Sequence, residues 1–129
     1  NLVLENSVLF HPPTLDIYQK YMESDFYVMS SRFEGFGLVL AEAMSCGIPC
    51  VSFDCPHGPS DIIKDYEDGL LVEKENIKEL ADKICYLIEN ENVRIKMGHK
   101  ARENVKRFLP ENVMPQWKNL FESLTYSSK

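Results

Sequence analysis

The chain has 129 residues, 44% of them hydrophobic and 26% charged, the make-up of a soluble globular unit near the usual domain size. A formal net charge of −6 argues against nucleic acid or an anionic membrane surface as the main partner. No apolar run approaches the roughly 20 residues of a membrane-spanning helix, and the opening residues show neither a signal-peptide pattern nor an initiator Met, as expected of a piece of a longer chain.

In chain order, "SVLF" (7–10) is a short apolar run closed by His11-Pro12-Pro13, and it predicts a strand. Thr14 then caps a helix over 15–23, with Leu15, Tyr18 and Met22 on one face. "FYVMS" (26–30) reads as a buried strand. "LVLAEAMSC" follows as a short apolar helix that stops at Gly47. "IPCVSF" (48–53) is again a strand, "SDIIKD" a helical turn and "GLLV" (69–72) a last strand.

Two amphipathic helices come next. Ile77, Leu80, Ala81, Ile84, Cys85 and Ile88 form the apolar stripe of the first. Val93, Met97, Ala101, Val105 and Phe108 point inward from the second, which Pro110 breaks. A final helix starts near Pro115, with Trp117, Leu120, Phe121 and Leu124 along one face. Alternating apolar strands and helices argue for a parallel sheet covered by helices, an α/β architecture. In such sheets ligands bind at the carboxyl ends of the strands, which puts the loops 30–37 and 54–60 on one rim.

Residues 93–107 concentrate the cations Arg94, Lys96, Lys100, Arg102, Lys106 and Arg107 around a single carboxylate, Glu103. A solvated helix face explains them most simply, and contact with an acidic membrane or partner is the sharper alternative. Cys46, Cys50, Cys55 and His57 invite a zinc reading, but the paired short spacing of structural zinc sites is missing. Small apolar filler in a reducing compartment accounts for the cysteines better, so no metal is expected.

The informative stretch is "SSRFEGFGLVLAEAMSCGIPCV". Gly35 and Gly37 flank Phe36 where a strand passes into a helix, so the backbone can turn tightly and a ligand can approach it. The first helical amides face the rim and favour an anion such as a diphosphate. A diphosphate would repel Glu34 and Glu42, so these carboxylates should bind the groups flanking it. Glu42 lies about 7.5 Å along the helix from Gly37, at 1.5 Å per residue, a distance that suits the hydroxyls of a ribose. Glu34, before the helix, could reach a sugar at the other end. One nucleotide-sugar satisfies all three requirements. Packing alone is the plainer alternative for the glycine turn, but a glutamate between Ala41 and Ala43 must still find a polar neighbour.

This E-x7-E pattern, followed by "AM-x-C-G-I-P-C-V", resembles the retaining GT-B glycosyltransferases known as family 4, or glycosyl transferases group 1. The similarity runs from about Val8 to Phe108 and includes "DGLLVE" and "R-x-K-M-G-x-x-A-R". The resemblance implies a partial Rossmann-like, nucleotide-sugar-binding C-terminal domain over 1–109, lacking its first strands, with a C-terminal helix over 110–129. It gives Glu34 to the donor sugar as the catalytic glutamate and Glu42 to the ribose. Gly35, Phe36, Gly37 and Leu38 present their backbone to the sugar and diphosphate. It also implies a hexose, UDP-linked in the commonest case, moved with retention to a glycan or glycolipid by an enzyme needing neither metal nor other cofactor. The expected setting is cytoplasmic, peripheral at the inner membrane face.

The chain departs from the family in three places. Ser30 stands where Pro is frequent, and His57-Gly58-Pro59-Ser60-Asp61 replaces G-G-x-x-E. Arg32 is the only cation near the motif, and it and His57 are further rim candidates, with His57 equally suited to bracing its loop. The acceptor-binding domain and the first donor-domain strands, with their diphosphate-clamping cations, are not in this sequence. Alone, the chain is therefore expected to bind donor weakly, to catalyse nothing and to self-associate through open strand edges. The alternatives are a binding module of the same fold without transfer activity, or a sugar-nucleotide epimerase of related architecture.

Overall fold

The computed structural model describes residue 4 and residues 7–126. Three parallel strands, β1 (Tyr27–Met29), β2 (Cys50–Asp54) and β3 (Gly69–Glu73), lie side by side in that order. Val28 pairs with Val51, and Val51 with Leu70. Helix α1 (Ile17–Met22) precedes β1, while α2 (Leu38–Ser45) and α3 (Pro59–Ile62) make the two crossovers. Helices α4 (Ile77–Glu89) and α5 (Glu91–Asn104), a 3₁₀ turn (Val105–Phe108) and α6 (Pro110–Tyr126) complete the chain. The expected architecture, a parallel sheet flanked by helices, is the one observed.

Helices cover both faces, which is why the strands read as nearly unbroken apolar runs. Met29 and Cys50 pack against Leu40, Met44, Ile62 and Ala101 on one side. Val51, Phe53, Leu70 and Val72 meet Leu87 and Met97 on the other. Helix α2 ends in a Schellman motif: the Gly47 N–H donates to the Met44 carbonyl and the Ile48 N–H to that of Ala43. Gly47 takes φ +79° there, and its carbonyl faces Gly98 of α5 so closely that a methyl on Gly98 would sit 2.2 Å from it. The two glycines set how near α5 lies to α2.

Several expectations need correction. Residues 8–10 form no strand, and Val8, Leu9 and Phe10 are exposed. A strand exists only where a neighbour supplies ladder partners, and none lies beside this run among the described residues. Helix α1 is shorter than 15–23 and is capped by Asp16, whose carboxylate accepts from the Gln19 N–H, and not by Thr14. Its buried residue is Tyr21, whereas Leu15, Tyr18 and Met22 face outward. The stripe of α4 is rotated: Leu87 is fully buried, Leu80 and Ile84 are half-buried, and Ile77, Ala81, Cys85 and Ile88 are exposed. One buried seam along Leu80, Ile84 and Leu87 is all the sheet requires of it.

The α5 reading holds, with Met97, Ala101 and Val105 buried and Val93 and Phe108 partly so. Helix α6 begins at Pro110, which both ends the 3₁₀ turn and starts the next helix, leaving Pro115 inside it. The face carrying Trp117, Leu120, Phe121 and Leu124 is about half exposed, and Trp117 stacks on Phe121.

The basic stretch divides by task. Arg94 pairs with Asp25 at 3.2 Å and donates to the Leu87 carbonyl, and Arg107 donates to the carbonyls of Asn104, Asp61 and Ile62. Lys96, Lys100, Arg102 and Lys106 are exposed. Cys50 and Cys55 are buried and Cys85 is exposed. Among the described residues no three potential metal ligands come together, and no helix is long and apolar enough to cross a membrane.

Candidate functional site

The loop from Ser30 to Gly37 leaves the carboxyl end of β1 and enters α2. Gly37 is the N-cap, with φ +87°, a left-handed backbone that favours glycine. It offers no capping side chain, and since the Leu40 N–H already donates to the Gly37 carbonyl, the N–H groups of Leu38 and Val39 are those left for the rim. An anion seated there would gain from those donors and from the helix dipole.

The neighbouring rim loop fits against this one. Gly58 lies at φ +97°, and a methyl on it would stand 2.4 Å from the Phe36 carbonyl oxygen. The loops after β1 and β2 are thus packed backbone to backbone, as their placement on one rim requires. His57 is exposed, adopts the left-handed backbone at φ +68° and makes no hydrogen bond among the described residues. The Gly58 N–H donates to the Asp61 carboxylate, which closes the turn. Tyr66 and Glu75 adopt the same left-handed backbone, so this conformation is a feature of the tight loops and not of His57 alone.

Other rim residues serve to hold the loop. Phe36 turns its ring inward to meet Phe108 edge to face, with centroids 5.2 Å apart. Arg32 reaches away to Glu75 in the loop after β3, at 2.8 Å, and Lys74 covers the Phe33 ring. Arg32 and Glu75 are both well exposed, so the pair fixes direction more than it adds stability.

One of the two carboxylates, Glu42, meets a buried tyrosine. The Tyr21 hydroxyl donates to Glu42 Oε2 at 3.3 Å and lies 3.5 Å from the Val39 carbonyl oxygen. Burial and then the Glu42 charge push the Tyr21 phenol well above its ordinary range. Tyr27 meets Tyr21 edge to face at 5.8 Å. Its own phenol is raised by burial, by the Cys50 thiol and then by both Glu34 and Glu42. Glu42 is thus anchored beside β1, while Glu34 sits half-buried in the loop that leaves the carboxyl end of that strand. Glu42, Leu38, Ala41 and Ser45 also form one wall of a groove of about 570 Å³, with Val113 of α6 opposite.

Reasoning from sequence missed Tyr21 and Tyr27. A signal for them existed, since a glutamate set between Ala41 and Ala43 on an apolar helix demands a polar partner. Nothing local identified which one, because Tyr21 lies 21 positions upstream of Glu42.

Comparison with known proteins bears on this arrangement. The family described as "Glycosyl transferases group 1" matches residues 1–104, most of the chain. The chain belongs to that family. Poly(ribitol-phosphate) alpha-N-acetylglucosaminyltransferase of Staphylococcus aureus is 43% identical over 107 residues, 81% of this chain and 22% of that protein. A solved structure of an S. aureus TarM variant with fondaparinux, alpha-GlcNAc-glycerol and UDP matches 92% of the chain at TM-score 0.86 and 38% identity. It covers 24% of that TarM chain. Anabaena HepE in complex with UDP-glucose matches 95% of this chain and 33% of its own, at TM-score 0.77 and 27% identity. The chain thus spans between a fifth and a third of these relatives. Its fold is that of the C-terminal domain of GT-B glycosyltransferases.

Proposed function

We propose that this chain is the donor-binding part of a retaining glycosyltransferase of family 4. It holds a nucleotide-sugar, UDP-linked, whose hexose passes to a glycan or glycolipid acceptor. The observation that carries the reading is the uncapped, left-handed start of α2 at Gly37 on the rim, with Glu34 in the loop just before it and Glu42 on the helix held by Tyr21. UDP and UDP-glucose in the TarM and HepE structures support the choice of donor.

In this reading the diphosphate lies at the first N–H groups of α2, with the ribose hydroxyls on Glu42. The hexose lies toward Glu34, with the backbone of Gly35 to Leu38 between. In transfer, the bond from the anomeric carbon to the diphosphate oxygen breaks and the acceptor oxygen bonds to that carbon on the same face. The departing diphosphate takes the acceptor's proton, which gives retention by internal return. The amides and dipole of α2 stabilise charge as it builds on the diphosphate, the principal catalytic contribution of this domain. Glu34 fixes the sugar by accepting from its hydroxyls. No metal or other cofactor is needed in this scheme. The 129-residue chain alone binds donor weakly and does not catalyse transfer.

An amide NMR titration of the chain with UDP, GDP and ADP, each with and without a hexose, tests this. Shifts centred on Gly35–Glu42 with UDP preferred are expected, and Glu34→Gln should weaken the added response to hexose while sparing that to UDP. Because the chain alone binds weakly, the titration is repeated on the full-length protein that carries it, and residues Gly35–Glu42 silent to every nucleotide there would remove the donor-binding role.

A further inference from the structure

Glu42 has two carboxylate oxygens and, in the reading above, a diol to bind. Only one oxygen is accounted for within the protein. Oε2 accepts from the Tyr21 hydroxyl at 3.3 Å, and Tyr21 itself is 4% exposed. The competing acceptor, the Val39 carbonyl, is farther at 3.5 Å and uncharged, so the carboxylate takes the proton. The Tyr21 ring cannot swing away easily, because it is wedged edge to face between Tyr18, at 6.4 Å, and Tyr27, at 5.8 Å.

A glutamate on a helix normally samples several rotamers, and a ligand that needs one of them must work against that freedom. Tyr21 removes it by tying Oε2 down toward α1. Oε1 is then left as the acceptor for ligand hydroxyls. We infer that Tyr21 is a positioning residue for nucleotide binding: its buried hydroxyl orients the Glu42 carboxylate so that Oε1 meets the ribose diol of a nucleoside diphosphate. The inference rests on the proposed role of Glu42. The raised Tyr21 phenol agrees with the geometry, since a neutral hydroxyl is the form that can donate.

The test is an NMR-monitored titration of the chain with UDP and with its 2′,3′-dideoxy analogue, comparing Tyr21→Phe, Glu42→Gln and the double variant. Tyr21→Phe removes one oxygen and keeps both ring contacts. It is expected to weaken UDP binding about five- to tenfold, the scale of one ordinary hydrogen bond, because Tyr21 acts through Glu42 and does not touch the ligand, and to leave the dideoxy analogue unaffected. Glu42→Gln should cost at least as much for UDP, again with no effect on the analogue. The double variant should be no worse than Glu42→Gln alone, because Tyr21 acts through Glu42.

The failures separate. If Glu42→Gln selectively weakens UDP and Tyr21→Phe does not, Tyr21 is packing only and the reading of Glu42 survives. If Glu42→Gln affects neither ligand, or both equally, the ribose role is lost and this inference with it. A readout independent of the Phe variant uses 3-fluorotyrosine at position 21, which keeps the hydroxyl. Its ¹⁹F resonance should move on Glu42→Gln and on adding UDP, and a resonance indifferent to both would overturn the assignment.

Discussion

Replacing Gly98 with alanine is expected to destabilise the chain by about 2–4 kcal/mol, although alanine is the better helix former by about 1 kcal/mol. The added methyl would sit 2.2 Å from the Gly47 carbonyl oxygen and 3.3 Å from a Pro49 ring carbon. Gly47 cannot retreat freely, because it occupies the left-handed turn that closes α2 and its N–H is bonded to Met44. Helix α5 would therefore have to move off α2. That shift would open the core where Ala101 and Met44 are both fully buried. Thermal unfolding is the measurement, with a fall in Tm of about 10 °C or more for a domain of this size. Gly35→Ala is the control: it has open space around its Cβ position and no positive φ, so its Tm should stay within a few degrees. Equal effects from the two substitutions would show that the helix contact is not what makes Gly98 necessary.

How much of this was legible in the sequence follows from which interactions are local. The β1–α2 unit and its two glutamates could be read because glycine spacing, helix start and strand are all encoded within a few residues of one another. The inward side of α5 was legible for the same reason, since one helix repeats one pattern. Residues 7–10 were not, because apolar character makes a strand only where an edge is available to pair with. The misplaced face of α1 has a similar cause. Tyr18 and Tyr21 both suit an inward position on a short helix, and Glu42, far along the chain, decides between them. Pro110 shows a third limit, since proline ends one helix and begins another with equal ease, and spacing alone favoured Pro115.

The site inherits this division. Its carboxylates and glycines lie in one contiguous motif, while the groups that hold them come from elsewhere. Tyr21 comes from α1, Phe108 from the 3₁₀ turn, Gly58 from the next rim loop and Glu75 from the loop after β3. A motif thus names the atoms that meet a ligand more readily than those that aim them. The same argument applies to Asp68, which the sequence presented only as part of "DGLLVE".

Asp68→Ala is expected to cost about 3 kcal/mol, a loss comparable to that at Gly98 but of opposite kind, since it removes atoms. The carboxylate is fully buried, forms no ion pair among the described residues and accepts two hydrogen bonds. Oδ1 accepts from the Lys64 N–H at 2.7 Å and Oδ2 from the Asn104 side-chain amide at 2.9 Å. Through these two bonds Asp68 joins the entry to β3 with the end of α5. Alanine would leave the Lys64 N–H without its acceptor and release Asn104, which also donates to Glu67 at 2.9 Å. Two hydrogen bonds to a charged acceptor are each worth about 1.5–3 kcal/mol, and part of that is offset because no carboxylate need then be buried. Asp68→Asn separates the contributions. Its carbonyl oxygen can still accept from Lys64, while its amide faces the Asn104 amide donor to donor, so a loss of about 1–2 kcal/mol is expected. Urea unfolding of both variants gives the comparison through the shift in midpoint at constant slope. If Asp68→Asn proved as costly as Asp68→Ala, the charge would matter more than the Lys64 bond. If both were neutral, the link between β3 and α5 would have to be carried by the surrounding apolar contacts alone.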